Sequence, residues 1–283
     1  MLIIGEKING TLKLVKKAVL DRDADFIKKL ALSQVENGAG ILDVNAGTTT
    51  DREPEDLIWL IQTVQEVVDI PLCLDSPNPA ALAAGLTVTK QTPMINSISA
   101  EPHRLAGVLP LVAKHGCRTI ALAMESSKIP STCEGRMEIV RRLFAETRKA
   151  GVPDENMYVD PLVMAIATDI TAVLTTLETM RTILKEFPKA HLTGGLSNVS
   201  FTMPARALIN RVFLTLALEA GLDSAIMDPL NRGLMEVLYA SNVVLGRDKH
   251  CMKYTRAFRA GKIGPVQEEK KSPAPEPQPV AAV

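Results

Sequence analysis

Eight short apolar runs, each closing on a polar or small residue, recur along this chain. They are Leu2 to Ile4, Ile41 to Val44, Leu72 to Leu74, Met94 to Ile95, Thr119 to Ala123, Met157 to Val159, Leu192 to Leu196 and Ser224 to Met227. Consecutive runs begin 22 to 39 residues apart, room for one strand, one loop and one helix. The stretches between them carry apolar side chains at helical spacing, clearest over Asp56 to Val68 and Ile170 to Leu184. Pro102 and Pro204 stand where first helical turns begin, and Gly116 and Gly151 where last turns end. Eight strands alternating with helices predict an α/β chain folded as a (β/α)8 barrel over residues 1–261, since a doubly wound sheet usually has fewer strands. From residue 262 the pattern stops. Ser272 to Pro279 places proline at every second position, which predicts an extended C-terminal tail outside the barrel, without a function of its own.

Composition removes several function classes. With 32 Lys+Arg against 32 Asp+Glu and 4% aromatic residues, the chain lacks the cationic surplus and stacking platforms of a nucleic-acid binder. No apolar run approaches the roughly 18 to 20 residues that span a bilayer, and Met1 to Lys7 leads straight into a strand without a signal-peptide core, so a cytoplasmic protein is expected. Cys73, Cys117, Cys133 and Cys251 are too scattered for a zinc knuckle or a disulfide framework and read as reduced, mostly buried thiols. The four histidines are equally scattered and receive no chemical role, and no metal site is expected.

Barrel enzymes place their chemistry at the C-terminal ends of the strands, so the residues closing each run read together as one rim. The rim comprises Glu6 and Asn9, Asp43 and Asn45, Asp75, Asn96 and Ser97, Met124 and Glu125, Asp160, Gly194 to Asn198, and Asp228. Singly, Asp75, Asp160 and Asp228, each followed at once or within two residues by proline, could be turn or cap residues. Together they crowd one mouth with carboxylates and amides, which suits a ligand rich in N–H donors. Lys7 is the one candidate for a Schiff-base lysine, and no Ser-His-Asp set or phosphate loop is present.

Six of these segments, in order, carry a family resemblance: Leu2 to Gly10 (LIIGEKING), Leu42 to Gly47 (LDVNAG), Leu72 to Ser76 (LCLDS), Met94 to Ser97 (MINS), Tyr158 to Leu162 (YVDPL) and Gly195 to Ser200 (GLSNVS), extended by Ala207 to Arg211. From residue 1 to about residue 251 the chain resembles the methyltetrahydrofolate:corrinoid protein methyltransferases. The resemblance implies a pterin-binding TIM barrel, usually a homodimer, that moves a methyl group between N5 of tetrahydrofolate and the cobalt of a corrinoid held by a partner protein. It further implies that Asp75, Asn96 and Asp160 grip the pterin, that Asn198 serves catalysis near N5, and that Gly195, Ser197 and Arg206 complete the binding network. Carboxylates suit the paired donors of an aminopyrimidinone edge, and an amide can both donate and accept. Transfer from methyltetrahydrofolate develops positive charge at N5, which a suitably placed amide stabilises selectively in the transition state.

The chain departs from that pattern at Phe201, where members from acetogens often carry a polar residue, commonly Gln. Phe stands there in the folate-binding module of cobalamin-dependent methionine synthase. Two rival readings are a non-catalytic folate-binding subunit and a dihydropteroate synthase. The second requires a strand 1 loop and a basic strand 8 end that Glu6 to Gly10 and Met227 to Pro229 do not supply. The direction of transfer, the original methyl donor and the identity of the corrinoid protein are not written in the sequence.

Overall fold

The structure is a computed structural model that describes residues 1–126 and 129–265. Eight strands run β1 (Leu2–Asn9), β2 (Ile41–Asn45), β3 (Leu72–Asp75), β4 (Met94–Ser99), β5 (Arg118–Leu122), β6 (Met157–Asp160), β7 (His191–Leu192) and β8 (Ser224–Met227). The helices between them are α1 (Lys13–Asp21) and α2 (Ala24–Glu36), then α3 (Glu53–Gln65), α4 (Pro79–Leu86), α5 (Pro102–His115), α6 (Cys133–Lys149), α7 (Ala172–Glu186) and α8 (Arg206–Glu219). After β8 come α9 (Arg232–Val244) and α10 (Met252–Arg259). The strands are parallel in the order β7-β6-β5-β4-β3-β2-β1-β8. Between β7 and β8 the barrel closes through one bridge, Gly195 to Ile226, with the Ile226 N–H donating to the Gly194 carbonyl at 3.1 Å. The expected (β/α)8 barrel is therefore present.

Alternation along the strands splits the core into two shells. Ile4, Ile41, Cys73, Met94, Ile120 and Tyr158 point into the barrel and form a compact inner cluster. Their neighbours Ile3, Leu42, Leu72, Leu74, Ile95, Ala121 and Val159 point outward and pack under the helices. Two residues beyond the inner cluster the same face carries Glu6, Asp43, Asp75, Asn96 and Asp160, so period-two alternation alone gathers them into one inward ring at the C-terminal rim.

Several local expectations change. The first 39-residue step holds two helices rather than one, α1 ending on Arg22 in the left-handed conformation before Asp23 caps α2 through the Phe26 N–H. Strand 7, expected over Leu192 to Leu196, pairs over two residues only, because Gly194 onward leaves the ladder for a 3-10 turn at Leu196–Ser200. Pro204 does not open α8, which begins two residues later after Ala205 takes a left-handed turn. Pro102 and Gly116 do bound α5. Of the four free thiols only Cys73 and Cys117 are buried, and Cys251 is exposed, because it sits on the surface turn before α10. Packing continues past residue 261, with Ile263 buried and the Gly264 N–H donating to Glu236, while the proline-rich stretch falls outside the described residues.

Candidate active site

Two irregularities shape the rim. In β1, Gly5 lies opposite Leu42 and Ile8 opposite Val44, so Glu6 and Lys7 together face the single residue Asp43. Such a bulge inserts one residue and turns both Glu6 and Lys7 toward the mouth, where ordinary alternation would send one away. In β4 the register shifts likewise between Asn96 and Ile98. Beyond β1 and β2 the loops pass backbone against backbone at Gly10 and Gly47: a Cβ on Gly10 would lie 1.9 Å from the Ala46 carbonyl oxygen. Only glycine permits that approach, and it fixes the ends of both strands beside each other.

The cavity at the mouth has a volume of about 360 Å³, the scale of a small-molecule site, and its walls include Glu6, Asn9, Asp43, Gly195, Ser197 and Asn198. Asp43 at its floor is buried, and its Oδ1 accepts from Asn96 Nδ2 at 3.3 Å. Beside it Asp75 Oδ2 accepts from Asn45 Nδ2 at 2.9 Å, while Asn45 Oδ1 is buried without a partner among the described residues. Across the ring Asp160 Oδ1 accepts the Leu162 N–H at 2.8 Å and stands 3.3 Å from where a Cβ on Gly194 would be. Asp228 uses one oxygen for the Leu230 N–H at 2.9 Å and the other for Lys7 Nζ at 3.1 Å. The turn-forming role foreseen for Asp160 and Asp228 is thus real, but it occupies one oxygen of each. Asp75 makes no turn bond of this kind; Ser76 and Asn78 serve that turn and the cap of α4 instead.

So many buried carboxyls cannot all be ionised cheaply. Burial, with the charge of Asp75, pushes Asp43 up to about 8, against the opposing bonds from Cys73 and Asn96. At neutral pH it is largely a neutral acid. Burial raises Asp75 as well, opposed by the Asn45 bond and the Arg104 charge. Asp160 is pushed up to about 6 by burial, with the Leu162 N–H and Arg136 pulling the other way. Burial lifts Glu6, Asp228 adds to the rise, and Lys7 opposes it.

Asn198 and Ser197 sit on the 3-10 turn Leu196–Ser200 at the edge of the same cavity, Asn198 exposed to solvent. Arg206, expected in the binding network, is exposed at the start of α8 and does not line the cavity; it ties the turn down by donating to the Ser197 carbonyl at 2.8 Å and to Ser200 Oγ at 3.1 Å. Of the expected site residues, Gly195, Ser197 and Asn198 line the cavity. Asp75, Asn96 and Asp160 share the inward face of the rim but are not among the cavity's lining residues, Asn96 reaching it through its bond to Asp43, and Arg206 stands behind the turn. Lys7 is ion-paired to Asp228 rather than set alone in an apolar pocket. Two helical arginines escaped the sequence reading. Arg136 of α6 is buried and donates to the carbonyls of Pro130, Pro161 and Leu162 and to Thr176 Oγ1, holding the loop behind Asp160. Arg104 of α5 donates to the Pro77 carbonyl at 2.6 Å and to the Ser97 carbonyl, behind Asp75 and Asn96. On an amphipathic helix either would read as a surface cation.

A pterin binding enzyme pattern matches residues 8–228, spanning every ring position except Glu6. The chain belongs to the pterin-binding enzyme family. Among relatives of this pterin-binding enzyme, the methylcorrinoid:tetrahydrofolate methyltransferase of Eubacterium limosum is 41% identical over 269 residues, 94% of this chain and 99% of the relative. The methionine synthase of Mycobacterium tuberculosis is 32% identical over 250 residues, 82% of this chain but only 21% of that longer protein. In three dimensions the barrel is similar to the dihydropteroate synthase of Xanthomonas albilineans in complex with 7,8-dihydropteroate. That match has a TM-score of 0.64 and 19% identity, and covers 87% of this chain and 92% of the other. At that identity the likeness speaks for the fold. Among the described residues no helix is long and apolar enough to cross a membrane, and no cluster of His, Cys, Asp and Glu could hold a metal ion.

Proposed function

We propose that this pterin-binding enzyme transfers a methyl group between N5 of tetrahydrofolate and the cobalt of a corrinoid carried by a partner protein. One observation carries the reading: a relative named for this reaction is 41% identical over 94% of the chain, and Asp43, Asp75, Asn96 and Asp160 fall within the family match at residues 8–228. Asp75, Asn96 and Asp160 bind the pterin. Asp160 offers the oxygen not tied to Leu162, and neutral Asp43 and the Asn96 amide give the floor both donors and acceptors. Gly194 keeps the space beside Asp160 free of a side chain for a flat ring, and Gly195 does the same beside the Asn198 amide. Asn198, over the ring, bonds to N5 most strongly as charge develops there, and Ser197 and Arg206 hold its turn in place. The corrinoid enters as a substrate on its own protein.

The decisive experiment mixes the purified protein anaerobically with tetrahydrofolate and methylcobalamin and follows the methyl–cobalt absorbance. Its loss supports the reading. Saturable folate binding without transfer in either direction would instead indicate a non-catalytic folate-binding subunit.

The protein works in the cytoplasm as a homodimer. Supporting the dimer, Leu208, Val212 and Leu216 recur every four residues on α8, each at least 42% exposed, with Leu174 of neighbouring α7 68% exposed. Val212→Glu is expected to convert a dimeric mass in light scattering to a monomeric one, and an unchanged mass would remove α8 from the interface.

A further inference from the structure

Methylating tetrahydrofolate leaves one proton without a place, and the cavity holds a carboxyl suited to it. Asp43, Asp75, Asp160 and Asp228 each have a hydrogen-bond partner already. Among the described residues the Glu6 carboxyl has none in the hydrogen-bond network, although it lines the same cavity as Asn198 and is partly buried. Its placement is not incidental, since the β1 bulge turns both Glu6 and Lys7 against Asp43 and so sets Glu6 beside the Lys7–Asp228 pair. We propose that Glu6 accepts the proton that leaves N5 when tetrahydrofolate is methylated, and returns it when the methyl group moves the other way. This rests on the methyl-transfer reading above.

The step balances. The N5 lone pair forms the new N–C bond while the methyl–cobalt bond breaks, and that bond's electron pair stays on cobalt, taking Co(III) to Co(I). The proton from N5 passes to the Glu6 carboxylate and from there to water. The groups facing Glu6 are Asp228 beyond β8, Lys7 on its own strand and Asp43 on β2. Burial and Asp228 favour the protonated form, so Glu6 holds a proton more firmly than a solvated carboxylate does, while Lys7 keeps the ionised form accessible. Matching the acceptor to the donor in this way is what efficient proton transfer requires.

The test is single-turnover transfer from methylcobalamin to tetrahydrofolate, followed by absorbance from pH 5 to 8 in wild type, Glu6→Gln and Glu6→Asp. Wild type should accelerate as pH rises through the Glu6 titration, because the acceptor must be ionised. Glu6→Gln should be roughly 10- to 100-fold slower at pH 7 and lose that limb, with tetrahydrofolate affinity within about threefold of wild type. Glu6→Asp, which keeps a carboxyl, should keep the limb at reduced rate. A Gln variant with the wild-type rate and limb would overturn the proposal while leaving the methyl-transfer reading intact. A wild-type protein that transfers nothing would overturn both. Should Glu6→Gln not fold, Glu6→Asp decides, and a folded Asp variant without the limb overturns the role of Glu6.

Discussion

Replacing Asp160 by asparagine sets stability against function, and the structure gives the size of both effects. The carboxyl is buried and raised from 3.8 to about 6, so folding holds its proton more tightly than the unfolded chain does. Between those two values the folded state binds more protons, and stability is lost as pH rises. At about 1.36 kcal/mol per pH unit, the ionised form costs roughly 3 kcal/mol above pH 6 and about half of that at pH 5. Asparagine carries no charge to desolvate, and its Oδ1 can still accept the Leu162 N–H. Because Arg136 loses a favourable charge, 3 kcal/mol is an upper bound. Asp160→Asn should therefore raise Tm at pH 8 by up to roughly 6–12 °C and at pH 5 by about half as much. Binding should move the other way. On the proposed pterin contact at Asp160, an amide NH2 would meet N–H donors where a carboxylate oxygen accepts them, costing about 2–3 kcal/mol, or roughly 30- to 150-fold in Kd. Thermal melts at the two pH values, with a tetrahydrofolate titration by fluorescence, check both halves. A Tm that falls at pH 8, or a gain equal at both pH values, would refute the argument that burial of charge sets the stability of this site.

On the proposed role, in which an Asn198 bond to N5 strengthens only as charge develops, Asn198→Ala should lower the single-turnover methyl-transfer rate far more than tetrahydrofolate affinity; a rate equal to wild type would remove it from catalysis. Arg136→Met leaves three carbonyls without their charged donor and should destabilise the fold by about 3–5 kcal/mol, read as a lower urea midpoint. Because the Leu162 turn loosens with it, tetrahydrofolate binding should weaken too. An unaltered midpoint would show that those loops do not depend on Arg136.

The parts of the site legible in the sequence are those set by local rules. Ile41, Cys73, Met94 and Tyr158 are inward, and Asp43, Asp75, Asn96 and Asp160 stand two residues further on, so alternation alone predicts a ring. What escaped depends on partners distant in sequence. The β1 bulge is defined by its register against β2, and nothing in Gly5-Glu6-Lys7-Ile8 announces it. Arg104 and Arg136 look like solvated cations until the loops that enclose them are placed. Strand 7 reads as five residues because Leu192 and Leu196 are apolar, yet the backbone leaves the ladder at the glycines, where Asp160 needs the space.

That space accounts for how the ring is kept. Asp43, Asp75, Asp160 and Glu6 are each drawn out of water at the rim, and burial makes each resist ionisation. A hydrophobic replacement at any of them would relieve strain on the fold, the usual outcome when a buried charge is exchanged for a well-packed apolar group. On the proposed function, these carboxyl oxygens match the N–H donors on the flat edge of a pterin. The second oxygen of Asp160, Asn45 Oδ1 and the Glu6 carboxyl have no hydrogen-bond partner among the described residues. Arg136, Arg104 and Arg206 bind backbone carbonyls behind the ring and its turn rather than the carboxylates themselves. Lys7 pairs directly with Asp228 beside the ring, whereas among the described residues no cation bonds Glu6, Asp43, Asp75 or Asp160, so these acids stay open to the cavity side of the rim.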